Sequence, residues 1–356
     1  MNDQQSLSGS GLGRILVTGG TGFIGSYIIK ELVAKGYAVR ALHRGTGELP
    51  FYIPKEIFNN TTGGSHTSTG SVEWVKGDIL DVISLEEAMN DVESVIHSAG
   101  IISFSRKDKK TMYKINIEGT ANVVNMALEK KIKRFVHISS VAAIGRAAGS
   151  GDVNEERKWE ENKTTTQYAF SKHHSELEVW RGIAEGLNAV ILNPSTVLGY
   201  GDWNTSSCRI FKTVYDEFAW YPTGVNGFVD IEDVARAAVL LMESDINAER
   251  FLINGDNWPF QQLFNVIADD FKKKRPSRKA SPFMGKIAWR SERVKSFFTG
   301  KRPLLTKETA AVSYSKTYFD NQKILKALPG FSFTPLEQSI QKACKKYLHT
   351  INQAQP

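Results

Sequence analysis

The stretch that most limits how this chain can fold is "RILVTGGTGFIGSYIIKELVAKG", residues 14–36. A short run rich in apolar and β-branched residues enters a cluster of glycines. Apolar residues then recur at helical spacing until Gly36 closes the helix. Strand, tight turn and helix in direct succession are the first half of a βαβ unit. The same alternation continues for about 200 residues. "YAVRALHR", "VEWVKGD", "VESVIHSAG", "RFVHISS" and "NAVILNPS" read as strands, while "SLEEAMN", the stretch from about Asp108 to Lys131 and the segment around Tyr168 read as helices. The expected fold is therefore α/β, a doubly wound parallel sheet of Rossmann type with a smaller C-terminal substrate lobe.

The polar, Gly/Ser-rich residues 1–13 read as a flexible tail, 14–195 as the dinucleotide-binding domain with later returns near 226–255, and 196–356 as mainly the substrate-binding lobe. Residues 46–71, rich in Gly, Thr, Ser and Asn, read as an extended surface loop. No apolar run approaches the roughly 18–20 residues that span a bilayer, and Cys208 and Cys344 are far apart without metal-ligand spacing. A cytoplasmic chain with no metal is the expectation.

The glycine cluster carries the first chemistry. Gly19, Gly22 and Gly25 lie between strand and helix, and Gly20, Gly22 and Gly25 also satisfy G-x-G-x-x-G. Side chains here would block the turn and keep a pyrophosphate from the backbone N–H groups at the helix start. Thr21, Phe23 and Ile24 complete the same cradle. About 20 residues on, an NAD site places a carboxylate against the ribose 2′-hydroxyl. Here the strand ends in His43 and Arg44. A guanidinium pairs with a 2′-phosphate, so NADP(H) is expected with Arg44 as its clamp, and NAD remains the alternative.

Tyr168 and Lys172, in "YAFSK", stand four residues apart, one helical turn along a common face. A free phenol titrates near 10, too high for a base at neutral pH, and a cation held beside it favours the phenolate. Taken with the ordered motifs "TGGTGFIG", "GDILD", "HSAG", "NIEGT", "HISSVAAIG", "NPSTVLG" and "VDIEDVA", the chain resembles the extended short-chain dehydrogenase/reductase family, also called the NAD-dependent epimerase/dehydratase family. It is similar in particular to dihydroflavonol-reductase-like and 3β-hydroxysteroid-dehydrogenase-like members.

That resemblance implies catalysis by Ser140, Tyr168 and Lys172, with Ser139 as the competitor for the serine role. It places Asp78 and Ile79 against the adenine and Ser98, Ala99 and Gly100 along the middle of the cofactor. Pro194 through Val197 would pass behind the nicotinamide, and Asn116 would be structural or anchor a water. Tyr168 and Lys172 would also touch the cofactor. The implied activity is hydride transfer between NADP(H) and a ketone, aldehyde or secondary alcohol. Val141, Ala142 and Ala143 stand where dehydratases carry an acidic pair, which disfavours dehydration. Sugar-nucleotide epimerisation with NAD is the alternative, and a homodimer through the helices bearing Asn116 and Tyr168 is a further implication.

Ile101 to Ser105, the loop after Gly145 and the segment from Tyr200 to Phe228 are expected to wall the substrate pocket. Trp203, Phe211, Phe218, Trp220 and Tyr221 suit an apolar or aromatic carbonyl compound, although at least half of them are expected to be core. Net charge is +7, yet residues 271–304 hold twelve Lys and Arg against the single acid Glu292. The rest of the chain is slightly acidic, which argues against nucleic-acid binding. The basic 272–302 segment interleaves cations with aromatics. It is expected to pack on the lobe with its charges solvated, and an anionic membrane surface is the competing reading.

Overall fold

The structure, a computed structural model, describes residues 13–45, 50, 52, 70–145, 151–161, 165–281, 289 and 313–354. Most of the 46–71 loop, the residues directly after Gly145 and most of the basic segment beyond residue 281 lie outside the described residues.

Seven strands form one parallel sheet: β1 Arg14–Thr18, β2 Ala38–His43, β3 Ser71–Lys76, β4 Val92–His97, β5 Arg134–Ile138, β7 Ala189–Pro194 and β11 Glu249–Ile253. Their spatial order is β11-β7-β5-β4-β1-β2-β3. Both faces are covered, so the strands are near-continuous apolar runs and successive residues feed opposite cores. In β1, Ile15 and Val17 point to one cluster and Leu16 to the other. In β7, Val190 and Leu192 join the first, while Ala189 and Ile191 join the second.

Helices α1 Phe23–Ala34 and α7 Ile231–Glu243 cover the first face. Helices α2 Val82–Ala88, α4 Gly119–Glu129 and α5 Gln167–Ala184 cover the second. Each fully buried branched or aromatic side chain contributes about 1.5–3 kcal/mol.

The expected helix from Asp108 to Lys131 is not uniform. α3 spans Lys109–Tyr113, Lys114–Glu118 widens into a π turn, and α4 follows. The turn holds Asn116, whose amide bonds outside the helix: Nδ2 donates to Ile101 O at 3.0 Å and Ser171 Oγ at 3.0 Å, and Oδ1 accepts from Ile101 N at 2.8 Å.

Beyond β7 the chain builds a second cluster. β10 Val225–Asp230 pairs in parallel with β8 Thr196–Leu198 and antiparallel with β12 Asp256–Pro259, outside the main sheet. β9 Trp220–Tyr221 pairs with β13 Arg278–Lys279, β6 Gly151–Val153 pairs with β14 Thr317–Phe319, and α9 spans Gln322–Ala327. α6 Arg209–Tyr215, α8 Phe260–Asp270 and the closing α10 Leu336–Ala354 pack around Phe211, Phe228 and Trp258. On α10 the face Leu336, Ile340, Ala343, Cys344 and Tyr347 repeats at helical spacing and is buried.

Candidate active site

The chain turns from β1 toward β2 and β3 on one side, and from β4 toward β5, β7 and β11 on the other. The C-terminal ends of β1 and β4 therefore diverge into the crevice where open α/β sheets bind ligands. A cleft of about 200 Å3 opens there. Gly19, Thr21, Gly22, Arg44, Asp78, Ile79, Ser98, Ala99 and Gly100 all line it. Leu42, His43, Gly77, Ile101 and Ile115 line it as well. Sequence reasoning passed over Leu42, Gly77 and Ile115, although each adjoins a motif residue.

The glycines are required by space. Gly19 has φ +71°, and a Cβ there would lie 2.7 Å from the Ala99 backbone. A Cβ on Gly25 would lie 2.2 Å from Gly19 O, and one on Gly22 would lie 3.1 Å from it. Helix α1, which Phe23, Ile24 and Gly25 open, has Gly22 as its N-cap. No side chain caps it and its first turn holds no acid. Those first N–H groups and the positive end of the helix dipole fit a pyrophosphate.

Opposite them, Ala99 N donates to Thr18 Oγ1 at 3.2 Å, and Thr18 Oγ1 pairs with His97 Nδ1 at 2.7 Å. His97 Nε2 meets Thr120 Oγ1 at 3.0 Å, and Thr120 gives its proton to Asn116 O at 2.6 Å. Because the Thr120 hydroxyl has one hydrogen, this chain requires His97 to be protonated on Nε2 and to accept from Thr18. Burial pushes His97 down to about 3, so it is neutral, and His137 stacks on it at 5.2 Å.

At the far rim, Leu80 N donates to Asp78 Oδ1 at 3.0 Å, which leaves the carboxylate at the turn after β3. Arg44 is exposed at the end of β2, with no ion pair among the described residues.

Thr166 caps α5 by accepting from Ala169 N at 2.9 Å, which starts the helix just ahead of Tyr168. Ser140 lies beyond β5. It lies close enough to Tyr168 to pull the phenol down, and its Oγ accepts from Ala142 N at 3.2 Å to cap a short turn. Ser139 points elsewhere: its buried hydroxyl lies beside Glu176 without a sound hydrogen bond. Lys172 is buried, and its Nζ donates to Ile138 O at 3.0 Å.

Lys172 together with an oxidised nicotinamide was expected to lower the phenol. In the protein alone burial dominates and pushes Tyr168 up to about 12, and the nearby Ser140 hydroxyl offsets only part of that. Burial in turn pushes Lys172 down to about 8, against the pull of Glu176. Desolvation outweighs pairing for both groups. Phe104 meets the Tyr168 ring edge-on at 5.9 Å, so the apolar loop after β4 reaches the phenol.

Ser140, Tyr168 and Lys172 do not line the cleft at the glycine turn, and neither do Pro194 and Val197. Pro194 ends β7, and Val197 sits in β8 within the first core cluster. Of the five aromatics expected near substrate, Phe211 is fully buried and Trp203 and Tyr221 pack on it in the lobe core. Trp220 lies under Arg278 at 5.5 Å, and Phe218 is 52% exposed. Both cysteines are buried free thiols. Among the described residues no cluster of His, Cys, Asp and Glu could hold a metal, and no helix is long and apolar enough to cross a membrane.

The cradle, the divergent strand ends and the Tyr-Lys helix face define a nicotinamide-dinucleotide protein. The sequence profile of the NAD dependent epimerase/dehydratase family matches residues 15–253, and the chain belongs to that family. It is an NAD(P)-dependent reductase or dehydrogenase of the extended short-chain type.

It is 30% identical to tetraketide alpha-pyrone reductase 2 of Arabidopsis thaliana over 72% of this chain and 82% of that protein. It is also 30% identical to cinnamoyl-CoA reductase 1 of Petunia hybrida, over 67% of this chain and 71% of that protein. Among solved structures, gox2253 superposes with a TM-score of 0.77 at 27% identity, covering 94% of this chain and 98% of that one. The UDP-glucose 4-epimerase of Thermotoga maritima shares the fold at a TM-score of 0.73 and 20% identity, over 95% of this chain and 99% of that one.

Proposed function

We propose that this chain is an NADP(H)-dependent carbonyl reductase and alcohol dehydrogenase in which Tyr168 moves the proton, Ser140 steadies the substrate oxygen and Lys172 supplies the nearby cation. One observation carries the reading. Tyr168 and Ser140 lie close together, Lys172 follows one turn along the same helix, and the phenol touches Phe104 of the loop whose Ile101 shares a cleft wall with the glycine cradle. When bound, the reduced nicotinamide supplies hydride to the carbonyl carbon. Tyr168, raised by burial, holds its proton at neutral pH and is ready to give it to the carbonyl oxygen. Ser140 donates to the same oxygen as negative charge develops there. In the reverse direction the phenolate is needed, and Lys172 is the group that favours it.

The end of β2 supports NADP(H): His43 and Arg44 stand where an NAD site places a carboxylate. Ile101 and Phe104 beside the phenol support an apolar or aromatic carbonyl substrate. Residues 14–195 then form chiefly the cofactor half and 196–356 chiefly the substrate half, in a cytoplasmic enzyme. Leu177 is 46% exposed on α5, where a homodimer through α4 and α5 would cover it.

The test is a panel of ketones and aldehydes followed by nicotinamide absorbance. Tyr168→Phe should lower turnover at least about 1,000-fold while NADPH still binds; full activity in that variant would sink the mechanism. Arg44→Ala should cost about tenfold or more in NADPH affinity and leave NADH affinity unchanged, for loss of one charge-assisted contact.

A further inference from the structure

Tyr168, Lys172 and Glu176 recur at intervals of four residues, so α5 presents all three on one face. The reaction as read above uses the first two. Glu176 is 1% exposed, and few carboxylates are buried so deeply without a role or a full set of partners. Its partners are incomplete. Oε1 accepts a short hydrogen bond from Asn193 Nδ2 of β7. Oε2 has no hydrogen bond, and its nearest cation partner is Arg250 Nη1 of β11, at 3.6 Å.

Arg250 itself is turned mainly to backbone: its Nε donates to Glu155 O at 2.9 Å and its Nη2 to Glu155 O and Arg157 O. The guanidinium therefore leaves much of the carboxylate's charge unspent. The other cation within electrostatic reach is Lys172, one turn back on the same helix. The Asn193 amide that holds Glu176 also donates to Ser140 O at 2.9 Å. One side chain thus ties the carboxylate to the turn that carries the serine.

We propose that Glu176 is a positioning residue for hydride transfer: its buried charge keeps Lys172 an ammonium, and the Asn193 bridge fixes that charge in register with Ser140. This rests on the function proposed above and adds to it the group that maintains the cation. The pocket around Lys172 needs such a group, since desolvation works against the ammonium and the Ile138 carbonyl that accepts from Nζ at 3.0 Å carries no countercharge. His97 from β4 and His137 from β5 face it as neutral, buried rings that neither repel the neutral amine nor neutralise the charge. Arg250 from β11 lies beside the same carboxylate at 3.6 Å, and desolvation pushes the lysine down. Ser139 and Asn193 are uncharged. Glu176 is the acid that acts in the opposite direction; burial pushes its own carboxyl up, and Arg250, Asn193 and Lys172 pull it back toward the carboxylate.

The experiment measures NADPH affinity by fluorescence from pH 6 to 10 on the full chain without substrate, so it does not depend on turnover. Wild-type affinity should fall as Lys172 loses its proton, near pH 8. Glu176→Gln keeps the shape and removes the charge, so its alkaline limb should move down by roughly one pH unit. Glu176→Asp keeps the charge, and its limb should stay near wild type. A limb unmoved in the Gln variant, or moved equally in both variants, overturns the proposal.

Should Glu176→Gln fail to fold, Arg250→Gln carries the test. It strips a competing cation from the same carboxylate and should move the limb upward, and an unmoved limb overturns the idea. Failure of the Tyr168→Phe test would remove the proton-transfer reading whatever these titrations give. A dead Tyr168→Phe with an unmoved Glu176→Gln limb would remove this inference alone.

Discussion

The turn after β1 and the aromatic cluster of the C-terminal lobe both read as ligand surfaces in the sequence, but they are built from different materials. At the turn the wall is backbone: Gly19, Gly22 and Gly25 leave no room for a Cβ, and α1 offers uncapped N–H groups. In the lobe the wall would have to be side chain, and the largest rings have gone instead into the lobe's own core around Phe211 and Tyr347. A ligand surface made of main chain leaves a local signature, because glycine is the residue that permits it. One made of aromatic rings does not, because the same rings serve packing equally well.

Substitutions should separate the two regions. Phe211→Ala removes a fully buried ring and should cost about 3–5 kcal/mol of unfolding free energy by denaturant titration. Its NADPH affinity should stay within about twofold. A large loss of affinity would mean that the lobe and the cradle do not act independently. Gly25→Ala should invert the pattern. Its Cβ would meet Gly19 O at 2.2 Å, and the displaced turn should lower NADPH affinity at least about 100-fold, or ~3 kcal/mol. Unchanged binding in that variant would show that the cradle yields. Phe218→Ala, at an exposed ring, should change stability by less than about 0.5 kcal/mol. A change in KM for an aromatic substrate without a change in kcat would place this ring at the pocket mouth, and unaltered kinetics would leave the lobe without a legible substrate residue.

Much of the fold was legible because a parallel sheet covered on both faces demands unbroken apolar strands, and "VILN" or "RFVHI" can hardly be anything else. The nucleotide end of the cleft was legible for the reason given above: its residues follow strand ends in fixed order. The π turn at Lys114–Glu118 was not, since one extra residue in a turn leaves the apolar spacing on either side intact. The sign of the Tyr168 shift was also hidden. Spacing shows that a cation is near but not that both groups are dry, and burial decides which effect wins. Glu176 stood in plain view four residues past Lys172. Its importance depends on Asn193 and Arg250, which come from strands 17 and 74 residues away.

The position of β11 has a consequence for how the chain is made. All six residues of β7 are buried, and its outer edge pairs with β11, residues Glu249–Ile253. On the ribosome, a nascent chain that has just passed Ser195 carries every element of the glycine cradle and the Tyr168 helix, yet it presents β7 as an open apolar edge. At about 5–20 residues per second that edge waits roughly 3–12 seconds for its partner. The interval is a window for chaperone capture or for mispairing with a neighbouring nascent chain. A stop codon placed just after residue 195 should therefore yield aggregate rather than a small dinucleotide-binding domain.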